Sequence, residues 1–493
     1  MEKPIGNKQT KNHHFSINII LFIVNIEVYF CIVAIHWNLT AVSHLSCHNT
    51  MTPSPDKNIF MIGINSFNHE KLKSLKNFDS YHFYGLISPE EAEDADHYDI
   101  PVLMSDIQSK LAAFNGSVDA IVTYIDFPIS MMTPLLRQQY GLISPSLESI
   151  LKCQHKYWSR VVQKEIVPET IPRFSPVNPF ADDPLATVDI AFPLWLKPVK
   201  SVGSYLGFRI KNRKEFYRAI GVIRQYIGRM AEPFNAIMDL ADIPDDIRKI
   251  DGNYCIAEQL IGGRQCTLEG YVFNGRVTIH GVVDSIRHSN RSTFFHYDYP
   301  SRLPRNVRQR MTSITEKVLR HIGYDNHPFN IEFYWNQSTD KIWLLEINTR
   351  ISQSHSDLFE KVDGVSNHQI TVELGLGRDP VFPHRKGVFN RASKFFYRMW
   401  EDAIVTRVPT AQELSAIERE LPGVLIDVKV GEGTRLNDLN EQDSYSYDLA
   451  WIFIGADNYR DLYRKYRICV ERLRFEFKPV DGLPPGPIVE GIR

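Results

Sequence analysis

The stretch from Phe329 to Arg350 constrains the chain most. Phe329-Asn330-Ile331-Glu332-Phe333-Tyr334 and Trp343-Leu344-Leu345-Glu346-Ile347-Asn348-Thr349-Arg350 both alternate in polarity, which is the period of a strand. In the second run Glu346, Asn348 and Arg350 point to one face, and Leu345, Ile347 and Thr349 to the other. In the first, Asn330, Glu332 and Tyr334 share a face. Asn336 to Asp340 are turn formers, so the two runs form a hairpin. A suitable register gathers two carboxylates, an amide oxygen and a guanidinium on one surface. Like charges so placed repel unless a cation lies between them, and magnesium with hard oxygen ligands is the natural partner. Alternation alone favours a solvated sheet face, so the remaining chain must decide.

The chain has 493 residues and a formal net charge of −2. That length suits two to four packed units, and the charge gives no electrostatic case for nucleic acid or an anionic membrane. Cys31, Cys47, Cys153, Cys255, Cys266 and Cys469 form no C-x-x-C pair, which fits a reducing cytoplasmic setting. Residues 15–37 are largely apolar and suit a membrane span in length, but Asn18, Asn25 and Glu27 interrupt them. A carboxylate at mid-span costs roughly 2.5–3.5 kcal/mol. Residues 1–50 are therefore expected to lie outside the fold, ahead of a start at Met51. A membrane anchor is the second reading and a cleaved signal the third.

From residue 59 to about 150, strands (59–64, 81–86, 120–124) alternate with helical stretches (70–76, 106–114, 131–139). This pattern implies a parallel sheet covered by helices. No G-x-G-x-x-G follows the first strand, so no dinucleotide site is expected there. Asp126, just past the third strand, is either a helix-capping residue or a substrate contact at the sheet's C-terminal edge. A single helix is expected over 146–162, and prolines at 168, 172, 176 and 179 then break structure. Further on come a strand at 192–199, a small-residue loop at 200–207, a return strand from 208 and a helix over 214–227. An acidic surface loop is expected over 239–252, a buried strand over 254–258, and a hairpin around Asn274-Gly275. A helix over 304–322 leads into the first hairpin. Past about 385 the chain changes character, with helices at 411–420 and 458–473.

Three features upstream belong with the 329–350 hairpin. Lys197 closes an apolar strand before the loop holding Ser201, Gly203 and Ser204; glycines there let backbone amides approach an anion. A plain glycine hairpin is the competing reading. Glu258 ends a buried strand before Gln259 and Leu260, where a carboxylate beside free backbone groups can read an adenine edge. An incidental glutamate is the alternative. Lys156 lies on a helix, where a lone lysine is ordinarily solvated.

In sequence these features run lysine helix, lysine strand with glycine loop, strand-end glutamate, then Glu332 with Glu346-x-Asn348-x-Arg350. This order resembles the ATP-grasp superfamily over residues 55–475, in particular its biotin carboxylase and carboxylate–amine ligase branch. Cys153-Gln-His-Lys156, Phe192–Gly207 and Gly262-Gly-Arg-Gln-Cys-Thr-Leu-Glu269-Gly carry further likeness. The resemblance implies an α/β and α+β architecture: a Rossmann-like domain over 51–150, a two-lobed ATP-grasp domain over 151–385 and a C-terminal cap over 386–493. It implies an ATP-dependent ligase, with ATP and Mg2+ (or Mn2+) as cofactors and a small carboxylate and an amine as substrates. Glu332, Glu346 and Asn348 would hold the metal. Lys156, Lys197, Ser201, Gly203 and Ser204 would contact phosphates, and Glu258, Gln259 and Leu260 the adenine. Glu269 would reach the ribose or the metal region. Arg350, Lys197 and His355 would serve catalysis, Arg350 by holding a carboxylate or the phosphoryl group in transfer.

After the arginine, biotin carboxylases run Ile-Gln-Val-Glu-His, whereas this chain has Ile351-Ser352-Gln353-Ser354-His355. Ser354 replaces the glutamate that acts on bicarbonate, and no Met-Lys-Met biotin-acceptor segment is present. Both points favour carboxylate–amine ligase over a biotin-dependent carboxylase. A non-catalytic ATP-binding protein anchored through residues 15–37 is the alternative of a different class. A homodimer is an assembly open to this architecture. A chain beginning at Met51 is expected to fold and stay soluble, as checked by gel filtration and thermal melting.

Overall fold

The computed structural model describes residues 56–94, 97–203, 205–288, 293–439, 442 and 446–480. The apolar segment 15–37 and the start at Met51 lie outside them. Among the described residues no helix is long and apolar enough to cross a membrane.

The first strands, β1 (Lys57–Met61), β2 (Tyr81–Gly85) and β3 (Ala120–Val122), form a parallel sheet in the order β2-β1-β3. Its centre is apolar on both faces: Ile59, Met61 and Ile121 are all buried, as expected for a parallel sheet covered by helices. The first helix runs Ser66–Leu72, four residues earlier than expected. Asn65 caps it, its side-chain oxygen accepting the Asn68 N–H at 2.9 Å.

The single helix expected over 146–162 is two, Leu147–Gln154 and Lys156–Ile166, broken at His155 (φ −79°, ψ 99°). His155 Nδ1 accepts the Trp158 N–H at 3.2 Å, and Nε2 lies 2.7 Å from the Ile250 carbonyl, to which it donates. The imidazole is thus both an N-cap and a tertiary tie. The break frees the Lys156 backbone N–H to reach Val199 O at 2.9 Å.

Strands β4 (Phe174–Val177), β5 (Leu194–Pro198), β6 (Phe208–Ile210) and β7 (Cys255–Gln259) form a four-stranded sheet in the order β4-β7-β5-β6. Leu194, Leu196, Cys255 and Ala257 pack under Phe216, Ile220 and Ile223 of helix Arg213–Tyr226. The acidic stretch 239–252 contains one helical turn, Asp245–Arg248, whose two leading aspartates suit the positive end of a helix.

An antiparallel eight-stranded sheet forms the largest layer. It comprises β8 (Arg264–Phe273), β9 (Arg276–Arg287), β10 (Phe294–Tyr299), β11 (His327–Asn336), β12 (Lys341–Asn348), β13 (Arg391–Met399), β15 (Val424–Val428) and β16 (Tyr447–Ala456), in the order β12-β11-β8-β9-β10-β13-β16-β15. The short strands β14 (Ala403–Arg407) and β17 (Glu476–Pro479) pair separately. Asn274 (φ 48°) and Gly275 (φ 75°) close the β8–β9 turn, the left-handed pair a tight hairpin needs. Strands from beyond residue 385 therefore continue the same sheet. Helix Arg305–Ile322 covers one face, with Met311 Sδ 3.6 Å from Cys266 Sγ. On the other face the registers align Glu332 with Thr267 and Glu346, Gln265 with Tyr334 and Ser285, and Tyr297 with Ser285 and Lys394. Helix Gln353–Asp363 lies over that second face, where a Cβ on Gly281 would come within 2.3 Å of Phe359.

His155, His327 and His368 are fully buried. Burial pushes their pKa values down, to about 4 for His155 and about 3 for His368, and the neighbouring Arg137 lowers His327 further. The unfolded chain takes up these protons below about pH 6.5, whereas the folded chain does not until far lower pH. Stability should therefore fall as pH drops below about 6.5, by roughly 2 kcal/mol per histidine at pH 5. Urea titrations at pH 7.5 and 5 measure this loss.

Candidate active site

The site is built on the β11–β12 hairpin. Glu332 stands directly opposite Glu346, and Asn330 opposite Asn348 one rung further on. Asn348 Nδ2 donates to Asn330 Oδ1 at 2.9 Å, which leaves the Asn348 amide oxygen as the acceptor on that rung. Gln265 Nε2 donates to Glu332 Oε2 at 2.7 Å, and Gln265 Oε1 in turn accepts from Arg287 Nε and Nη2 at 3.0 and 2.7 Å. Burial, then the facing Glu346 charge, raises the Glu332 pKa to about 7. Two half-buried carboxylates with an amide oxygen beside them fit a hard divalent cation. Among the described residues no three His, Cys, Asp or Glu side chains converge as a metal cluster, so Asn348 is needed to complete the set.

A cluster of cations lies beside this face. Arg350 Nη2 donates to Asp126 Oδ2 at 2.7 Å. Lys200 Nζ donates to Gln154 Oε1 at 2.6 Å and lies 3.4 Å from Asp126 Oδ1. Lys156 Nζ donates to the Ser201 carbonyl at 2.8 Å. Burial pushes Asp126 up, but the Arg350 and Lys200 charges overcome it and hold the carboxyl well below the usual range. Burial lowers Lys156 to about 8, opposed by Glu346 and assisted by Lys200 and Lys197. Lys156, Lys197, Lys200, Asp126 and Glu346 thus act on one another. Asp126 belongs to this cluster rather than to a helix cap. Lys200 was not singled out in the sequence; its only signal was a lysine opening the small-residue loop.

Lys197 and Glu258 meet each other. Glu258 Oε2 lies 2.8 Å from Lys197 Nζ, and Oε1 accepts from Arg160 Nε at 2.6 Å. The two cations overcome burial and hold Glu258 well below the usual carboxylate range. Arg160 also donates to the Leu344 and Leu345 carbonyls at 3.1 and 2.6 Å, so one guanidinium joins helix Lys156–Ile166, strand β7 and the β11–β12 hairpin. Past Gln259 and Leu260 the chain crosses at Gly263 (φ +145°), where a Cβ would sit 2.4 Å from the Trp335 carbonyl; only glycine fits there. Gly203 is also left-handed (φ 55°), and Ser201 is buried next to it. Ser204 lies outside the described residues. Glu269 stands opposite Asn330, and its Oε1 is 2.8 Å from His355 Nδ1, which ties His355 to the rung of Asn330 and Asn348.

Glu332→Gln removes one of the two facing charges and keeps an acceptor and a donor for Gln265. A carboxyl raised on folding costs stability above its unfolded pKa, and the cost disappears as pH falls through the raised value. The variant should therefore be more stable than the parent in metal-free buffer at pH 8, by an amount on the order of 1–3 kcal/mol, and the gain should shrink as pH falls and be lost below about pH 4.3. Paired calorimetric scans test this.

Residues 190–356 match the ATP-grasp domain family model. An L-amino acid ligase from Bacillus licheniformis is similar in structure, with a TM-score of 0.65 at 16% identity, over 86% of this chain and 100% of that one. Phosphoribosylglycinamide synthetase from Anaerococcus prevotii is similar at TM-score 0.57 and 13% identity, over 86% and 100%. A biotin carboxylase–β,γ-ATP complex from Campylobacter jejuni is similar at 0.57 and 14%, over 85% and 92%. No curated protein sequence matches the chain. The protein therefore carries an ATP-grasp domain over residues 190–356 and has the ATP-grasp fold.

Proposed function

We propose that the protein is an ATP-dependent ligase that activates a small carboxylate as an acyl phosphate, releases ADP, and joins the acyl group to an amine with loss of phosphate. The observation that carries this reading is the juxtaposition of opposites on one sheet face. The facing carboxylates Glu332 and Glu346 suit a cation, and beside them Lys156, Lys200 and Arg350 suit anions. ATP and a carboxylate bring several negative charges together, and both kinds of group are needed to hold them in one place.

In this reading Glu332, Glu346 and the Asn348 amide oxygen hold magnesium. When bound there, the metal would supply positive charge to offset that of the phosphates. Lys156, with Ser201 and Gly203, would contact the phosphates. Lys197 swings between Glu258 and a phosphate, and Glu258, Gln259 and Leu260 line the adenine side. Arg350, held by Asp126, offers a planar fork to the substrate carboxylate or to the phosphoryl group in transfer. Glu269 orients His355 at the edge of the acceptor side. Residues up to about 150 and beyond about 385 shape the pockets for the two organic substrates. Among the described residues the four cysteines are buried and free.

The test supplies the full chain with magnesium, ATP and pooled amino acids and small carboxylates, then measures phosphate and identifies the nucleotide product. Substrate-dependent ADP and phosphate are expected. AMP with pyrophosphate overturns the acyl-phosphate route, and bicarbonate turnover that requires biotin replaces the ligase with a carboxylase. Glu346→Ala and Lys197→Ala should each lower turnover by at least about 100-fold while melting as folded proteins, the latter because Arg160 still neutralises Glu258. Full activity in either variant removes that residue from the site.

A further inference from the structure

Lys394 lies at the centre of β13, wholly buried, on the same sheet face as Glu332 and next to Tyr297 in register. A buried amine ordinarily has a carboxylate to neutralise it. Here the carboxylates that act on it have cations of their own: Asp448 lies 3.1 Å from Arg398, and Asp427 3.4 Å from Lys429. Among the described residues the hydrogen-bond partner of Lys394 Nζ is the Ser354 hydroxyl, at 2.8 Å. Rings enclose the amine on its other sides, with Nζ 3.2 Å from the Trp451 centroid, 4.8 Å from Phe396 and 5.5 Å from Phe453.

Ser354 ties this amine to the candidate site. It is partly exposed, four residues beyond Arg350 and one before His355, which is fixed to Glu269. Tyr297 packs 5.1 Å from His355 and 5.1 Å from Phe396, bridging the two groups. The Ser354 hydroxyl therefore stands between a buried amine and the polar sheet face.

We propose that Ser354 and Lys394 form a proton relay that deprotonates the ammonium group of the acceptor amine. The proposal rests on the ligase reading above. An amine substrate arrives as an ammonium ion with no lone pair to attack. In the relay, an acceptor N–H bond breaks and its proton goes to Ser354 Oγ. At the same time the Ser354 O–H bond breaks and its proton goes to Lys394 Nζ, which becomes an ammonium. The freed lone pair then forms the C–N bond to the acyl phosphate, the C–O bond breaks, and the departing phosphate takes the second N–H proton and leaves a neutral amide. The 2.8 Å contact serves transfer in either direction, because the hydroxyl hydrogen can rotate.

The surroundings suit this role. Burial pushes the Lys394 amine well below the usual lysine range, which favours the free base. The Trp451 face receives the charge once the proton arrives. The other groups facing the amine are Asp448 on β16, Asp427 and Lys429 on β15, and Arg398 on its own strand. The two carboxylates oppose the shift, and the two cations assist it.

The experiment compares the full-length parent with Lys394→Met and Ser354→Ala, using two acceptors. One is an amino acid, which must lose a proton before attack. The other is hydroxylamine, which is uncharged at neutral pH and needs no base. With the amino acid, both variants should lose about 100-fold or more in rate, and raising the pH from 7 to 9.5 should restore much of it as free amine accumulates. Hydroxamate formation should fall by less than tenfold. Equal losses with both acceptors, no loss with either, or no recovery at high pH each overturn the relay. If Lys394→Met does not fold, Ser354→Ala, which keeps the buried lysine, decides by the same criteria. A parent that forms no carboxylate-dependent ADP with either acceptor overturns the ligase reading and the relay together.

Discussion

Glu332 and Glu346 repel each other across a strand ladder, and much of the architecture around them answers that repulsion. Gln265 donates to one of them and is itself gripped by Arg287. The cations Lys156, Lys200 and Arg350 surround the pair without forming a salt bridge to it; each is held by another acceptor. The carboxylates are instead left facing each other, at a cost in folding free energy that the rest of the fold offsets.

That offset comes partly from ties across the chain. Asp126 of the first segment grips Arg350 at the end of the hairpin. Lys71 pairs with Asp357 at 2.6 Å and Glu360 at 2.9 Å on the helix after it. Tyr81 donates to Glu373 at 3.0 Å. The parallel sheet therefore does more than support the site from a distance. It holds the guanidinium beside the carboxylate pair, and it anchors the helix that begins with Ser354 and His355.

Local pattern carried the sequence reading a long way. Alternation placed Glu332, Glu346, Asn348 and Arg350 on one face, and the register places Glu332 opposite Glu346 because side-chain direction in a strand is fixed by parity. The break at His155 was not legible. Helical periodicity runs through it, and the cap depends on Ile250, 95 positions away. Lys200 and Arg160 were obscured for the same reason, since their partners lie 46 and 74 or 98 and 184 positions distant. Strand β10 escaped notice because Phe294-Phe-His-Tyr-Asp-Tyr has large aromatic groups on both faces and does not alternate. Such runs occur where a sheet is covered on both sides.

The continuity of the eight-stranded sheet has a consequence for how the protein is made. β10 pairs on one side with β9 and on the other with β13, which begins at Arg391. While a ribosome is still adding the residues before β13, the strands that bear the candidate site end in a bare row of N–H and C=O groups, with the ring of Tyr297 uncovered beside it. Such an edge recruits strands from other chains. Strands β13, β16 and β15 thus act, during synthesis, as the chain's own seal on that border.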